Sequence, residues 1–595
     1  MICLFPCFLS AQVLTLPFFD DFNSSYNYPD SVKWADRNAY VNSGFPRNPI
    51  THNAATLDVL DANGRVYDYA ISNPFIAEHL TSNIIRLDSI FEPEPKALEP
   101  ADSLYFSFFY QPQGNGNPPE SQDSLVLEFG LINMIDSIVT DTAWYHVWST
   151  PGDSLSRFVQ ENGGNYFKQV MIPITDLKYF SPGFCFRFYN YASILNSSQP
   201  SGRGNEDNWN IGPVYLDYNR SIYDPSYPKI SFGGKAPSFL NRYKSMPYKH
   251  YRTNPSNNIA VEIEYHASNL DNQQHNLKYY YTVEQVAGSH SYSYDGSDAW
   301  NLDPMVNYYP GTSIVNKLFP IDVDRDTTSY IIRHYLVDYT CNPPMIDSLV
   351  CHQGFYNYFA YDDGSPEKGY GVDLQEGAFA VKFELAEMDT ICGVQLLFNH
   401  TLRDANDQYF DIVVWKDNNN KPGEELYRLT NCKLRWEEQL YKFSYYRFNK
   451  LVRYNGIFYV GIVQHSNGNI NIGFDASTDN SQYNYYNING SWQQSSLPGS
   501  IMLRPVVGGD YYIGVDEQLV DHEVRVYPNP ASSVIHIEGI DNGSSVAIYD
   551  ITGRRVMHET YHETLTVGHL SNGLYLVNIT TVEGIVISKK IMINQ

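Results

Sequence analysis

Basic residues are scarce in this 595-residue chain: 40 Lys and Arg stand against 66 Asp and Glu, for a formal net charge of −26 at pH 7. Phosphate recognition needs clustered cations that release counterions on binding, and no Lys/Arg-rich run occurs, so nucleic acid is excluded as a partner. Anionic lipid surfaces are disfavoured for the same reason. Cysteine is also rare, seven in all. No CxxC pair is present, which excludes a zinc ribbon or a dense disulfide scaffold. No apolar run after the N-terminus approaches the ~18–20 residues that a membrane-crossing helix needs. Helical periodicity is nearly missing, and so are the Gly-x-Ser-x-Gly elbow, the Walker loop and the dinucleotide fingerprint. Gly233-Gly234-Lys235 lacks the spaced first glycine of a phosphate loop.

What is present is hydrophobic and aromatic, 43 % and 15 % of the chain, with 50 tyrosines. Such a chain can bury real cores, which excludes wholesale disorder. At ~100–200 residues per domain its length implies three to five domains. Short alternating runs bounded by Gly, Pro, Asn and Asp recur throughout, the pattern of β-sandwiches. Phe184, Phe186 and Phe188 share one face of a strand, with Cys185 and Arg187 on the other. Val381, Phe383 and Leu385 align in the same way, as do Phe458, Val460 and Ile462. The fold class is therefore all-β, a multi-domain chain of β-sandwiches, two jelly-roll-like and two immunoglobulin-like. Turn-rich breaks place a jelly-roll-like unit at 12–223, an immunoglobulin-like unit at 224–350, a second jelly-roll-like unit at 351–509, a linker at 510–521 and a last unit at 522–595.

Residues 1–11 are apolar and end in small residues, as the core and cleavage site of a secretory signal peptide do, although the basic leader is missing. Its removal takes Cys3 and Cys7 away and leaves five cysteines, so at least one thiol stays unpaired. Cys341 and Cys351 bracket an Asn-Pro-Pro turn and form one candidate disulfide. Cys392 and Cys432 form the next.

The last unit carries Tyr527-Pro528-Asn529-Pro530, then Tyr549 to Arg554 as YDITGR, Leu570 to Leu576 as LSNGLYL, and Lys589-Lys590 followed by alternating Ile591 and Ile593. In this order and spacing the segment resembles the type A C-terminal sorting domain of the type IX secretion system of Bacteroidetes. The resemblance assigns the sorting signal to Tyr527, Pro528, Asn529, Pro530, Gly553, Arg554, Gly573, Tyr575, Lys589 and Lys590. It implies the type IX secretion machinery as partner, export across the outer membrane, removal of the tail, and release or attachment to surface lipopolysaccharide. It implies nothing about the chemistry of the cargo.

Two further stretches resemble cargo modules of the same bacteria. LPFFDDFN, WYHVWSTPG, GFCFRFYN and DNWNIGPVYLDYNR resemble jelly-roll ectodomains, except that Gly212 follows Trp209-Asn210-Ile211 where typical members carry an acid. FAYDDGSPEKGYGV, AVKFELAE and VVWKDNNNKPGEELY resemble a second recurrent module. Asp-Ser or Asp-Thr before an apolar residue or Thr occurs at Ser31, Ser89, Ser103, Ser124, Ser137, Thr142, Ser154, Thr327, Ser348 and Thr390. That pattern resembles the O-glycosylation acceptor of exported Bacteroidetes proteins, and it equally describes strands that begin after a turn.

For chemistry, Asp20, Asp21, Asp207 and Asp217, with Asn205 and Glu206 nearby, are hard oxygen ligands. A jelly roll whose first and last strands pair could gather them around a structural calcium ion, the one cofactor suggested. His558-Glu559-Thr560-Tyr561-His562 spells the zinc-peptidase motif, but as a strand it would hold the imidazoles ~13 Å apart. The DNNNKPG run at 417–423 begins like an EF-hand and has Arg428 where the bidentate glutamate belongs, so a hairpin turn is expected. Trp144, Trp148 and the YNYYNINGSW stretch at 483–492 offer aromatic faces for sugar. No catalytic residue is assigned and enzyme status stays open. The reading that follows is a secreted or surface protein whose sandwiches bind extracellular glycan or protein. A hydrolase with a catalytic pair in the first sandwich, or a structural spacer, are the alternatives.

Overall fold

The computed structural model describes residues 13–594 apart from 24–26, 136–137, 195–206, 224–226, 287, 297, 324, 373, 400–407, 438, 469, 509–524, 539–543, 551–554, 563 and 581–585. The proposed leader, the linker, Asn205, Glu206, Gly553 and Arg554 lie outside the described residues. The chain is 51 % strand and 5 % helix, divided among many sheets, as the alternating runs require. It separates into two compact units, 1–511 and 512–595.

In the first sandwich one sheet runs in the order Lys168–Ile174, Leu104–Pro112, Trp209–Asp217, Ala54–Leu57, Tyr40–Asn42, and Phe18–Asp20 also pairs with Trp209–Asp217. The facing sheet is Phe75–Thr81, Phe184–Ala192, Ser124–Ile135, Ile138–Pro151. Period-two alternation sends Phe184, Phe186 and Phe188 inward, where all three are fully buried. They meet Phe106 and Phe108 of the other sheet edge to face, at 4.6 Å for Phe106–Phe186 and 4.8 Å for Phe108–Phe188. Burying each such ring contributes roughly 1.5–3 kcal/mol. The outer face is also covered: Arg187 is held by Glu128, with Trp144 4.0 Å above its guanidinium.

Residues 230–507 share one continuous core. Its tyrosine-rich part is built from His275–Gln285, Thr328–Asp338 and Met345–Phe355, and from Ile230–Gly233, Glu262–Asn269 and Tyr309–Ile314. Tyr265 and Tyr279 stack across these two sheets at 4.1 Å. The later part is a seven-stranded sheet around the long strands Ala378–Leu396 and Ser444–Gln464. Val381, Phe383, Leu385, Phe458, Val460 and Ile462 all point into it. The short helix Tyr248–Thr253 ties the two parts together. His250 on it donates from Nε2 to Asp389 at 2.9 Å and accepts from the Ala386 amide at Nδ1.

In the second unit, Arg525–Tyr527, Val534–Glu538 and Leu565–Thr566 face Arg555–Thr560, Ser545–Tyr549, Gly573–Thr580 and Val586–Ile593. This small sandwich has a core of its own, including Ile535, Ile548, Val577, Ile579 and Ile591.

Candidate functional site

A pocket of about 260 Å³ opens in the first unit, lined by Tyr28, Arg37, Asn38, Tyr40, Asp58, Asp61, Tyr67 and Tyr441 among others. One wall follows the Asp61 turn, where a single carboxylate oxygen accepts the amides of Asn63 and Arg65. Gly64 completes that turn at φ +73, and an added Cβ would lie 3.1 Å from Leu440 Cδ1 of the opposite wall. Tyr441 on that wall has φ +57, uncommon for a bulky residue and a form of strain that tends to collect at binding sites. Its ring meets Tyr40 edge to face at 5.8 Å. Arg37 lies 4.3 Å above the ring of Tyr28, and Tyr67 stacks on Tyr69. Four residues after Tyr40, Gly44 packs closely on a distant segment: an added Cβ would sit 2.3 Å from the Glu367 carboxylate.

Asp58 of the lining and Glu78, which is not part of it, form a buried carboxyl pair. Glu78 Oε2 accepts from the Val59 amide at 3.1 Å, and Oε1 lies 3.5 Å from the Tyr67 hydroxyl. Burial pushes Asp58 up to about 7. Burial and the Asp58 charge push Glu78 well above the usual carboxylate range. Folded, the pair keeps protons that the unfolded chain releases near its ordinary Asp value of 3.8, so this contribution weakens as pH rises from there through about 7. We expect the unfolding free energy of the first unit, measured in urea, to fall between pH 4 and 7.5, with a slope approaching ~1.4 kcal/mol per proton and pH unit. Asp58→Asn should flatten that slope; an unchanged slope would contradict the pairing.

The four acids expected to gather around calcium do not meet. The first and last strands of the sandwich do pair, Phe18 opposite Leu216. Asp20, however, is buried against Lys33 at 2.9 Å and accepts from Trp34 Nε1 at 2.6 Å. Asp21 pairs with Lys229, and Asp217 accepts from the Tyr215 hydroxyl. Asp207 alone is left among carboxylates, beside Glu120 and Asp123.

Neither expected disulfide is formed: Cys341 and Cys351 are not joined to one another, nor are Cys392 and Cys432. Cys341 follows Asp338, which pairs with Met345, and Cys351 lies six residues further along that strand, ~20 Å away at ~3.3 Å per residue. Cys392 and Cys432 donate to different carbonyls, Val506 and Leu429. Cys351 Sγ is 3.9 Å from His334 Nε2, but burial pushes the thiol up to about 12 and the imidazole down to about 3. Both are neutral, so this is a core contact and no thiolate nucleophile. His275 gives both ring nitrogens to carboxylates, Asp338 at 2.6 Å and Asp271 at 3.0 Å, leaving none for a metal shared with Cys341.

The remaining motifs take the forms that strand geometry dictates. His558 lies on the strand Arg555–Thr560 and meets Ser545 Oγ at 2.9 Å, while His562 makes an isolated bridge to Thr564. The 417–423 run is a hairpin, Asp417 opposite Pro422 with Asn419 and Asn420 both at positive φ. Trp148 packs on Phe108 and Tyr110 at 5.1 and 5.0 Å, and Trp492 on Trp415.

In the tail, the Tyr-Pro-Asn-Pro turn is stitched to the last strand. Asn529 Oδ1 accepts from the Met592 amide at 2.9 Å, and the Ala531 amide donates to the Met592 carbonyl. Tyr527 is half exposed and stacks on His536, whereas Tyr575 is buried and donates to the Ser571 carbonyl. Gly573 pairs with Ile593, and Lys589 and Lys590 lie opposite Val577 and Leu576.

No described helix is long and apolar enough to cross a membrane. No curated protein matches the chain in sequence. Among solved structures, the Parabacteroides merdae beta-glucuronidase with glycerol in its active site is similar at 12 % identity, over 56 % of this chain and 37 % of that one, with a TM-score of 0.20. The chain spans little more than a third of that protein, and so slight a likeness carries no argument. The family described as the secretion system C-terminal sorting domain matches residues 525–594. The last unit is therefore a C-terminal sorting domain, and the chain is a cargo of type IX secretion, bound by that machinery and exported to the outer surface or beyond.

Proposed function

We propose that the exported chain is a binding protein of the adhesion type, and that the tyrosine-lined pocket holds an extracellular glycan. The observation that carries this reading is the lining itself. Four tyrosine rings supply apolar faces, and Arg37, Asn38, Asp58 and Asp61 supply donors and acceptors, in one opening. About 260 Å³ is slightly below the ~300–1,000 Å³ of small-molecule sites, which suits one or two sugar rings rather than a long chain. A hydrolytic use of Asp58 and Glu78 is less well supported. Hydrogen-bonded carboxyls are closer than the ~5 Å or more that glycosidases keep between acid and partner, and Glu78 is fully buried.

A glycan array probed with the protein should give a saturable signal. Tyr28→Ala and Tyr67→Ala should each weaken the strongest hit several-fold, since each removes an apolar ring face from the opening. Tyr28→Ala should leave thermal unfolding nearly unchanged, whereas Tyr67→Ala should also lower it, because that ring packs on Tyr69 and the small core beside it. Absence of any saturable glycan, or binding indifferent to both substitutions, would remove the reading.

A further inference from the structure

We propose that Glu120, Asp123 and Asp207 form a binding site for calcium, at the end of the first sandwich where the strands Ser124–Ile135 and Trp209–Asp217 begin. One carboxylate oxygen from each lies within 4.8 Å of the others. An ion that keeps its oxygens at ~2.3–2.6 Å spans such a set, and the all-oxygen donors select a hard cation.

The second observation is the state of those oxygens. Asp123 and Asp207 are each only 1 % exposed. Asp123 Oδ1, Asp207 Oδ1 and Glu120 Oε2 are buried and receive no hydrogen bond from a donor among the described residues; both aspartates meet the Glu120 carboxyl instead. A buried carboxylate oxygen left bare costs several kcal/mol of lost hydration, so an unseen partner is called for.

The second oxygens of the two aspartates are occupied, and by groups that fix the orientation. Asp123 Oδ2 accepts from the Glu120 amide and from Ser193 Oγ, both at 3.0 Å. Asp207 Oδ2 accepts from the Ser193 amide at 2.6 Å, and Gln122 donates to Ser193 Oγ at 2.8 Å. Ser193 thus holds both aspartates by one oxygen each and leaves the other oxygen of each without a described donor. Such outer-shell support is characteristic of sites that keep a metal. Among the described residues no lysine, arginine or histidine makes an ion pair with any of the three.

Without a cation, burial pushes Asp207 up to about 10 and Asp123 up to about 7, and the neighbouring carboxylates add to both. A cation would take the place of those protons, so its affinity should rise with pH.

The test uses the full chain after dialysis against chelator. Terbium luminescence, sensitised by the nearby Trp209, should saturate at one ion per chain, and calcium should displace it well before magnesium does. Millimolar calcium should raise the thermal midpoint of the first unit by several degrees. Asp207→Asn should weaken calcium at least 100-fold. In chelator the same variant should unfold no earlier than the wild type, because a carboxamide is neutral without having to hold the proton that the buried Asp207 carboxyl keeps. Glu120 is only partly buried, so Glu120→Gln serves if Asp207→Asn does not fold, and should weaken calcium at least tenfold. No calcium-dependent shift up to 10 mM, or a shift preserved in both variants, would overturn the site in favour of a trio that simply shares protons.

Discussion

Deleting residues 522–595 should reduce the extracellular protein to background while the remaining chain accumulates within the cell envelope. The expectation rests on two observations that meet in the tail: the family match at 525–594, and a core that belongs to this unit alone. A sandwich this small has only a few kcal/mol in reserve, ~3–5 for a single core below ~80 residues. Val577 is fully buried at its centre. Val577→Asp would place an unpaired charge there, a penalty larger than that reserve. Export should then fail as completely as on deletion. Tyr527→Ala, on a half-exposed ring, should leave the tail folded and isolate what side-chain recognition contributes. Immunoblots of medium, surface and envelope fractions distinguish these outcomes, and normal export of the deleted chain would refute the sorting assignment.

The second large effect is expected at Arg504. Its guanidinium grips Asp362 with two hydrogen bonds, Nη2 to Oδ1 at 2.6 Å and Nε to Oδ2 at 3.2 Å. The Asp362 side chain is wholly buried and that of Arg504 is 13 % exposed. The guanidinium also lies 3.8 Å above the ring of Phe443. Removing one partner of such a pair leaves the other charged and unhydrated, at a cost of ~3–5 kcal/mol. Arg504→Ala should therefore destabilise the first unit by that amount, against a total of ~5–15 kcal/mol for a typical domain. Arg504→Lys should recover only part, because an ammonium cannot make the two-pronged contact. Replacing both residues by apolar ones of similar size should restore most of the loss. Urea denaturation followed by tryptophan fluorescence measures all three, and a change below ~1 kcal/mol for Arg504→Ala would contradict the burial described here.

These effects were not equally legible in the chain. Alternation announced the strands, and with them the inward faces of Phe184, Phe186 and Phe188 or of Val381, Phe383 and Leu385, because period two is a local property. The Tyr-Pro-Asn-Pro turn and LSNGLYL were readable for the same reason, since each lies within a few residues. The His-Glu-x-x-His spelling and the EF-hand-like run lost their apparent chemistry once strand geometry was considered. The pocket was not readable at all: nothing local links Tyr28 to Tyr441, and only the packing of distant strands brings them together. The acids near the first strand failed for a related reason. Strand pairing put Asp20 close to the last strand as expected, but Lys33, Trp34 and Lys229 answered its charge and that of Asp21 first. Glu120 and Asp123 gave no sign, since each sits in an ordinary-looking polar turn and becomes notable only beside Asp207. The two disulfides were inferred from closeness in sequence, which a hairpin undoes by carrying Cys351 away along its strand.

The pocket's walls, one from residues 28–67 and the other from residues 440–441, have a mechanical consequence. Whatever occupies the opening touches segments that the chain keeps some four hundred positions apart, so pulling those segments from one another must first expel the occupant. At a hundredfold excess over its Kd a ligand would add ~2.7 kcal/mol to the work of parting them. Under the proposed binding reading, tensile strength and occupancy would then rise together: the loaded molecule is the one that resists being pulled open.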